Sequence, residues 1–287
     1  MTLMSDDAAA PRRRDRWSNL AGAAAVGEAA ARLAQVGNAP SEVESRRRYL
    51  DLLGPRPGER VLEVGAGTGI VTLALARRVA PGGEAVALDP SAELLALAAR
   101  AAAEAGLGGV VRTEIGDARA LPFSDGAFDG ALCHWVLLHV DPAEKVIAEM
   151  ARVVRPGGHV LCVERDDETV MVYPGARDLT RRILCASTDR HVDGWIGRRL
   201  APLLRGAGLR DVAVLPLVDF EGDLVPADAP PAGWLAFVES RATVAVQEGA
   251  ATVEEAQGWW QQVRAAAAAG RWFFSVTQLA VMGTVPG

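Results

Sequence analysis

The stretch Val61-Leu62-Glu63-Val64-Gly65-Ala66-Gly67-Thr68-Gly69 predicts a strand followed by a tight loop, and the apolar run that begins at Ile70 predicts a helix after the loop. Glycine tolerates positive φ and has no side chain, so a loop of this kind brings bare backbone against a ligand. The stretch therefore predicts a ligand site at the end of a buried strand.

The spacing of the glycines discriminates between ligands. A dinucleotide fingerprint reads G-x-G-x-x-G and needs glycine at position 70, where Ile70 stands. The sequence reads G-x-G-x-G instead, with Glu63 two residues before the first glycine. A carboxylate there would repel a pyrophosphate, but it can accept hydrogen bonds from a cationic ligand or neutralise it. The pattern therefore disfavours a nicotinamide dehydrogenase.

Residues 61–69 resemble motif I of the class I S-adenosylmethionine-dependent methyltransferases, and the resemblance continues along the rest of the chain in the right order. The pattern of motifs and the segment that follows them resemble the small-molecule branch, which includes quinone-biosynthesis and natural-product tailoring enzymes. The resemblance implies S-adenosylmethionine as the cofactor and S-adenosylhomocysteine as its product.

The apolar segments alternate with helical ones, which predicts right-handed crossovers and a parallel sheet covered on both faces. The resemblance implies that the last two strands form an antiparallel hairpin at one edge. The fold class is thus α/β, a doubly wound, mostly parallel, seven-stranded Rossmann-like sheet with N-terminal helices and a helical cap inserted toward the C-terminus. The predicted strands are 61–64, 85–88, 110–115, 130–133, 159–163, 212–220 and 272–285.

Two regions are predicted along the chain. Residues 1–53 form a tail, disordered to about residue 15, and N-terminal helices; residues 54–287 form the class I methyltransferase domain. Cap segments are expected at about 165–210 and 224–270. The tryptophans of the second segment are interpreted either as packing of the cap or as the wall of an apolar acceptor pocket.

Three helix starts are predicted from capping residues. Ser41, with Glu44 three residues later, predicts a capping box. Asp141 before a proline predicts an N-cap, and Ser91 predicts another for the helix that ends near Gly106.

The resemblance also implies roles for residues at four successive strand ends. The loop 65–69 would lie under the methionine and ribose, Asp89 would accept both ribose hydroxyls, and Pro90 would pack beside the adenine. Asp117 would accept from the adenine amino group, and the end of the fourth strand would contact the cofactor by its backbone. The cofactor residues predicted in this way are Glu63, Gly65, Ala66, Gly67, Gly69, Asp89, Pro90, Gly116, Asp117, Ala118, Cys133 and His134.

Methyl transfer from a sulfonium is an in-line displacement, so the protein must mainly align the reactants and exclude water. A base is needed only if the acceptor is poorly ionised, and its use is left open. His134 is the first candidate and His139 the second, although a structural or pocket-lining role is the preferred interpretation of His139. Other candidates are His191, a surface residue or a substrate contact, and Glu164 or Asp166.

Composition limits the partners. The net charge is −6 and half of the residues are apolar, which disfavours a nucleic-acid partner. The three cysteines are widely spaced, which predicts a reducing compartment and no metal. No apolar stretch approaches the roughly 18 residues of a membrane span. The protein is expected in the cytoplasm with a small-molecule acceptor and no membrane partner; homodimer formation is left open.

The predicted function is transfer of a methyl group to oxygen, nitrogen or carbon of a hydrophobic small molecule. The alanine and arginine bias is typical of a high-GC bacterium and suggests secondary metabolism. Two alternatives stand beside it. One is an enzyme that binds the cofactor but catalyses cyclisation or another non-methylating reaction, and the other is a non-catalytic binding protein on the same fold.

Overall fold

The computed structural model describes residues 23–225 and 233–287, and a seven-stranded sheet lies at its centre. The strands are β1 Arg60–Val64, β2 Glu84–Asp89, β3 Val111–Ile115, β4 Phe128–His134, β5 Val154–Tyr173, β6 Arg210–Glu221 and β7 Phe273–Thr284. Their order in the sheet is β3-β2-β1-β4-β5-β7-β6. The first five strands pair in parallel, whereas β7 is antiparallel to both β5 and β6. The predicted mostly parallel sheet with an antiparallel hairpin at one edge is confirmed.

Helices connect the strands and flank the sheet. They are α1 Ala23–Gly37, α2 Pro40–Leu53, α3 Ile70–Val79, α4 Ala92–Glu104, α5 Ala143–Val153, α6 Arg177–Thr188, α7 Ile196–Gly206, α8 Gly233–Gln247 and α9 Val253–Ala268. None of the helices in the described ranges is both long and apolar enough to cross a membrane. The predicted tail and the beginning of the proline-rich segment, residues 226–232, lie outside the described residues.

The central strands are apolar throughout because both of their faces are covered by helices. Leu62 of β1 faces one side, where the apolar cluster includes residues of α5 and α7. Val61, its neighbour, faces the other side, where Leu75 of α3 and Tyr49 of α2 complete the cluster. Side chains alternate between the faces of a strand, so β1 belongs to both clusters.

A third apolar cluster, called the cap cluster below, joins α6, α8 and α9 to the N-terminal end of β7. Trp234 and Trp259 are fully buried in it. Their indole nitrogens donate to Ser41 Oγ and Thr180 Oγ1, each at 3.0 Å. The packing interpretation of these tryptophans is therefore the one that the structure supports.

One of the three predicted helix starts has the predicted cap. Ser91 Oγ accepts from the N–H of Leu94 at 3.2 Å and begins α4. The capping box of Ser41 was wrong: α2 begins at Pro40, its N-cap is Ala39, and no side chain caps it. The N-cap role of Asp141 was also wrong, because Pro142 occupies the N-cap of α5.

β5 continues ten residues beyond the predicted end at Val163, with a register shift between Asp166 and Met171. The apolar pattern stops at Glu164 because this part of the strand carries buried charged residues. Glu164, Arg165, Asp166 and Asp167 are all at most 8% exposed. This polar segment of β5 lies next to the candidate site.

Candidate functional site

The glycine loop between β1 and α3 is held against the end of β2. The N–H groups of Gly65 and Ala66 donate to the carbonyl of Leu88 at 2.8 and 3.0 Å. Gly65, Gly67 and Gly69 all have positive φ, which disfavours any other residue. A Cβ on Gly65 would lie 2.4 Å from Val136 Cγ2. The loop is therefore a rigid backbone cradle at the carboxyl edge of the sheet.

Asp89, at the end of β2, lies directly beside this loop. Its Oδ2 accepts from the N–H of Gly67 and its Oδ1 from the N–H of Ser91, both at 2.9 Å. The side chain is 7% exposed. A carboxylate accepts several hydrogen bonds at once, and it is a suitable acceptor for the hydroxyl groups of a diol such as a ribose.

Glu63 is buried beneath the same loop. Thr72 Oγ1 donates to its Oε2. Burial raises the pKa of Glu63 to about 8, against the Thr72 hydrogen bond, and the negative charge of Asp89 adds to the rise. A cation placed beside Glu63 would favour its ionised form. The pair of acids is thus suited to a ligand that has both hydroxyl groups and a positive charge.

The end of β3 supplies the next predicted residues. Gly116 N–H donates to the carbonyl of Asp89 at 3.2 Å. The carboxylate of Asp117 pairs with Arg119, Nη2 to Oδ2 at 2.8 Å, which lowers the pKa of Asp117. Its side chain is half exposed, and Pro90 is exposed as well. Asp117 therefore stays ionised and accessible, although Arg119 already occupies part of its acceptor capacity.

The chain makes a strained turn where β4 ends. Trp135 has a φ of 57°, which is uncommon for a bulky residue, and its N–H donates to Val163 O at 2.9 Å. Glu164 Oε1 accepts from the N–H groups of Val136 and Leu137 at 2.8 and 2.6 Å. Glu164, considered as a base from sequence, thus holds this turn in place. Cys133 is completely buried, so only its backbone can reach a ligand.

His134 is enclosed rather than open to solvent. Its ring stacks between Tyr49 and Trp135, with ring centroids 5.4 and 4.3 Å away. Its Nε2 lies 3.4 Å from Glu42 Oε1 of α2. Burial lowers the pKa of His134 to about 3, and the positive charges of nearby arginines act in the same direction. The imidazole is neutral near pH 7.

His139 belongs to a different cluster. Its ring packs edge to face on His191, with centroids 5.2 Å apart. His191 Nε2 lies 3.0 Å from Asp167 Oδ2, and the side chain of His191 is only 14% exposed. His191 is therefore not a surface residue. The structure groups His139 with His191 and groups His134 with residues of α2.

Two buried arginines surround Asp167. Arg165 Nε lies 3.0 Å and Arg241 Nη2 3.4 Å from its carboxylate oxygens. Although burial favours protonation, the two guanidinium groups hold the pKa of Asp167 well below its usual range. Arg165 also lies over the ring of Trp135, 4.4 Å from its centroid. It thereby connects this cluster to the end of β4.

Sequence reasoning missed the buried polar residues that line this side of the site. Each of them looked like an ordinary exposed residue or an interruption of an apolar pattern; the only signal was a lone polar residue in an apolar run, as at Gln278. The missed residues are Glu42, Arg165, Asp167, Asp219, Arg241 and Gln278.

Comparison with known proteins agrees with this arrangement. A family model described as a methyltransferase domain matches residues 62–162, which contain every predicted cofactor residue. An uncharacterised 37.1 kDa protein in transposon TN4556 of Streptomyces fradiae is 34% identical over 238 residues, 81% of this chain and 64% of that protein. A demethylmenaquinone methyltransferase from Symbiobacterium thermophilum is 36% identical over 109 residues, 38% of this chain and 43% of that protein. The chain thus spans less than two thirds of either relative.

The solved structure of protein BH2331 from Bacillus halodurans shares the fold with a TM-score of 0.56 at 19% identity, covering 85% of this chain and 100% of that one. The sheet and the loop at its carboxyl edge define the Rossmann-like fold of the class I S-adenosylmethionine-dependent methyltransferases. Residues 62–162 of this chain are similar to the methyltransferase-domain family.

Proposed function

We propose that this protein transfers a methyl group from S-adenosylmethionine to a hydrophobic small molecule. The observation that carries the proposal is the placement of two buried acids at the glycine loop: Asp89 accepts from the N–H of Gly67, and Glu63 lies two residues before Gly65. S-adenosylmethionine has a ribose diol and a sulfonium cation, and the two acids match these groups. A dinucleotide would instead bring a pyrophosphate to Glu63.

The residues of the chain have distinct tasks in this proposal. The loop from Gly65 to Gly69 holds the amino-acid and ribose parts, Asp89 accepts from the ribose hydroxyls, and Asp117 accepts from the adenine amino group. The cofactor, when bound, supplies an activated methyl group. The protein then has to align the acceptor with that methyl group and exclude water. The enclosed end of β4 around Trp135 provides such surroundings.

The acceptor is proposed to lie on the α2 and α8 side of β4. The rings of Trp135 and Phe237 lie there, and Arg165 lies over both rings, 4.4 and 5.0 Å from their centroids. The similarity to a demethylmenaquinone methyltransferase supports a quinone-like aromatic acceptor. A role in secondary metabolism is part of the same proposal and rests only on composition.

Calorimetric titration of S-adenosylmethionine tests the cofactor assignment. The full chain is expected to bind it saturably, and Asp89→Ala should bind it about 1 to 3 kcal/mol more weakly because buried hydrogen bonds are lost. Glu104→Ala is the matched control. Glu104 is an exposed acid on α4 that lies 3.7 Å from Arg100 and is far in sequence from the loop.

Each outcome has a definite meaning. Absence of saturable binding by the folded wild-type chain would reject the proposed function. Equal affinity of wild type and Asp89→Ala would reject the site assignment alone. Incubation with demethylmenaquinone and methyl-labelled S-adenosylmethionine then tests the reaction, and the label is expected in the quinone product. Turnover without transfer of label would favour the non-methylating alternative.

A further inference from the structure

Two buried ionisable side chains face each other between α2 and the end of β4. Glu42 is fully buried, and the side chain of His134 is 11% exposed. Glu42 Oε1 and His134 Nε2 are 3.4 Å apart, and neither atom has a hydrogen-bond partner among the described residues. Leaving both atoms unsatisfied would be destabilising. One hydrogen shared between the two atoms would satisfy both of them.

The neighbours prevent either side chain from turning away. Gln278 Nε2 donates to the other oxygen of Glu42 at 2.7 Å. Gln278 is itself held by Trp135, whose Nε1 donates to its Oε1 at 2.7 Å. The imidazole is stacked between Tyr49 and Trp135. The 3.4 Å contact is therefore built into the fold by residues of α2, β4 and β7.

The charged groups around the pair come from three elements, α2, β5 and β6. Burial raises the pKa of Glu42 to about 8; Asp219 of β6 adds to the rise, whereas Arg46 of α2 and Arg165 of β5 oppose it. Burial, Arg46 and Arg165 together lower the pKa of His134 to about 3, against the opposing effect of the Gln278 side chain. Near pH 7 both groups are thus uncharged, and the shared hydrogen lies on the carboxyl group of Glu42.

We propose that Glu42 is a positioning residue that selects the tautomer of His134. As a carboxylic acid, Glu42 donates to Nε2, so the ring hydrogen of the neutral imidazole is on Nδ1. As a carboxylate, Glu42 accepts from Nε2–H, which leaves Nδ1 unprotonated.

The tautomer determines whether His134 can act as a base. With Glu42 ionised, the lone pair of Nδ1 can take the proton that an acceptor O–H, N–H or C–H loses when its new bond to the methyl carbon forms and the sulfur–carbon bond breaks. The resulting imidazolium is stabilised by the Glu42 carboxylate. With Glu42 protonated, neither ring nitrogen is free. This catalytic use rests on the proposed function, whereas the selection of the tautomer does not.

Nitrogen NMR of the full chain, labelled with ¹⁵N in the histidine rings, measures the tautomer directly. The chain has 4 histidines, and the signals of His134 are assigned by their loss in His134→Gln. Between about pH 6 and pH 10 we expect the hydrogen of wild-type His134 to move from Nδ1 to Nε2, with a midpoint near 8 set by Glu42. In Glu42→Gln the tautomer should be independent of pH.

Asp219→Asn is the matched control. It removes a neighbouring negative charge but keeps the carboxyl group of Glu42, so the same transition should occur with a lower midpoint. Should Glu42→Gln not fold, as judged by circular dichroism, Glu42→Asp replaces it, and its shorter carboxyl should weaken the coupling and displace the midpoint. A wild-type His134 whose tautomer does not change, or an unaltered transition in the Glu42 variant, would overturn the proposal.

The experiment is independent of the proposed function because it is run without cofactor or acceptor. Failure of S-adenosylmethionine binding would leave a measured tautomer transition standing. Conversely, normal cofactor binding with an unchanging tautomer would reject only the role of Glu42.

Discussion

Three buried glutamates contribute a pH dependence of stability opposite to that of an ion-paired acid such as Asp167. Glu42, Glu63 and Glu164 have pKa values raised to about 8 by burial. Below the ordinary glutamate pKa, near 4.5, each is protonated in both the folded and the unfolded chain. As the pH rises, the unfolded chain releases these protons first. The stabilisation is therefore fully present below pH 4.5 and is lost as the pH rises to about 8.

Glu63→Gln should reduce this pH dependence. The amide oxygen can still accept from Thr72, but the side chain no longer ionises in the unfolded chain. For one proton, the free energy of unfolding changes by at most about 1.4 kcal/mol per pH unit. Urea unfolding between about pH 5 and pH 8 should show a shallower decline for the variant than for wild type. Glu104→Gln, at an exposed position, should follow the wild-type slope; an equal slope for Glu63→Gln would contradict the argument.

Asp89 and Glu42 show which single site residues can be placed from the sequence. The position of Asp89 could be predicted because it ends an apolar strand, and that strand follows the glycine loop and one helix along the chain. The burial of Glu42 could not be predicted, because it depends on Gln278, 236 residues further along the chain. A glutamate near the start of a polar helix looks solvent-exposed until β6 and β7 are in place. Local pattern predicts strand ends, whereas buried polar contacts arise from tertiary packing.

At the scale of single elements, proline decided where two helices begin. Pro40 occupies the first turn of α2, and its fixed φ suits that position, so Ser41 falls inside the helix. In α5, Pro142 itself is extended, with φ −82° and ψ 137°, and takes the N-cap position. The presence and order of the strands could be predicted, since a buried strand has a longer apolar pattern than a single capping residue, although β5 extends well beyond its predicted bounds.

A true capping box occurs at α9, where it had not been predicted. Thr252 Oγ1 accepts from the N–H of Glu255 at 3.1 Å, and the Glu255 carboxylate accepts from the N–H of Thr252 at 2.9 Å. Thr252→Ala should lower the free energy of unfolding by about 1 kcal/mol, whereas Thr252→Ser should retain most of it. Urea unfolding measures both. An equal loss in the two variants would indicate that the methyl group, and not the cap, contributes the stability.

At the scale of the whole molecule, β7 and Trp135 connect the sheet to the cap helices α6, α8 and α9. β7 contributes Phe274 and Val276 to the cap cluster, and Ala280 and Val281 to the two clusters on the faces of the sheet. Trp135 packs against both the cap cluster and the cluster beneath α5 and α7. The predicted single domain from residue 54 to residue 287 is thus expected to unfold as one cooperative unit. Sequence could predict the alternation of strands and helices, but not these shared contacts.

The N-terminal helix links the cofactor loop to the cap. A Cβ on Gly67 would lie 3.1 Å from Leu33 Cδ1 of α1, and α1 also packs against α8 through Val36 of the cap cluster. A ligand on the loop should therefore stabilise the sheet and the cap together. The fluorescence of Trp234, Trp259 and Trp272 reports on the cap cluster, and far-ultraviolet circular dichroism reports on the whole chain.

S-adenosylhomocysteine at about 100 times its dissociation constant should add about 2.7 kcal/mol to the free energy of unfolding. For a chain of this size that corresponds to a rise in Tm of roughly 5 to 10 °C, and both signals should rise by the same amount. Asp89→Ala at the same ligand concentration should show a smaller rise in both. A shift in circular dichroism with an unmoved fluorescence midpoint would mean that the cap unfolds separately. In that case, ligand binding on the loop would not be coupled to the helices that enclose the acceptor.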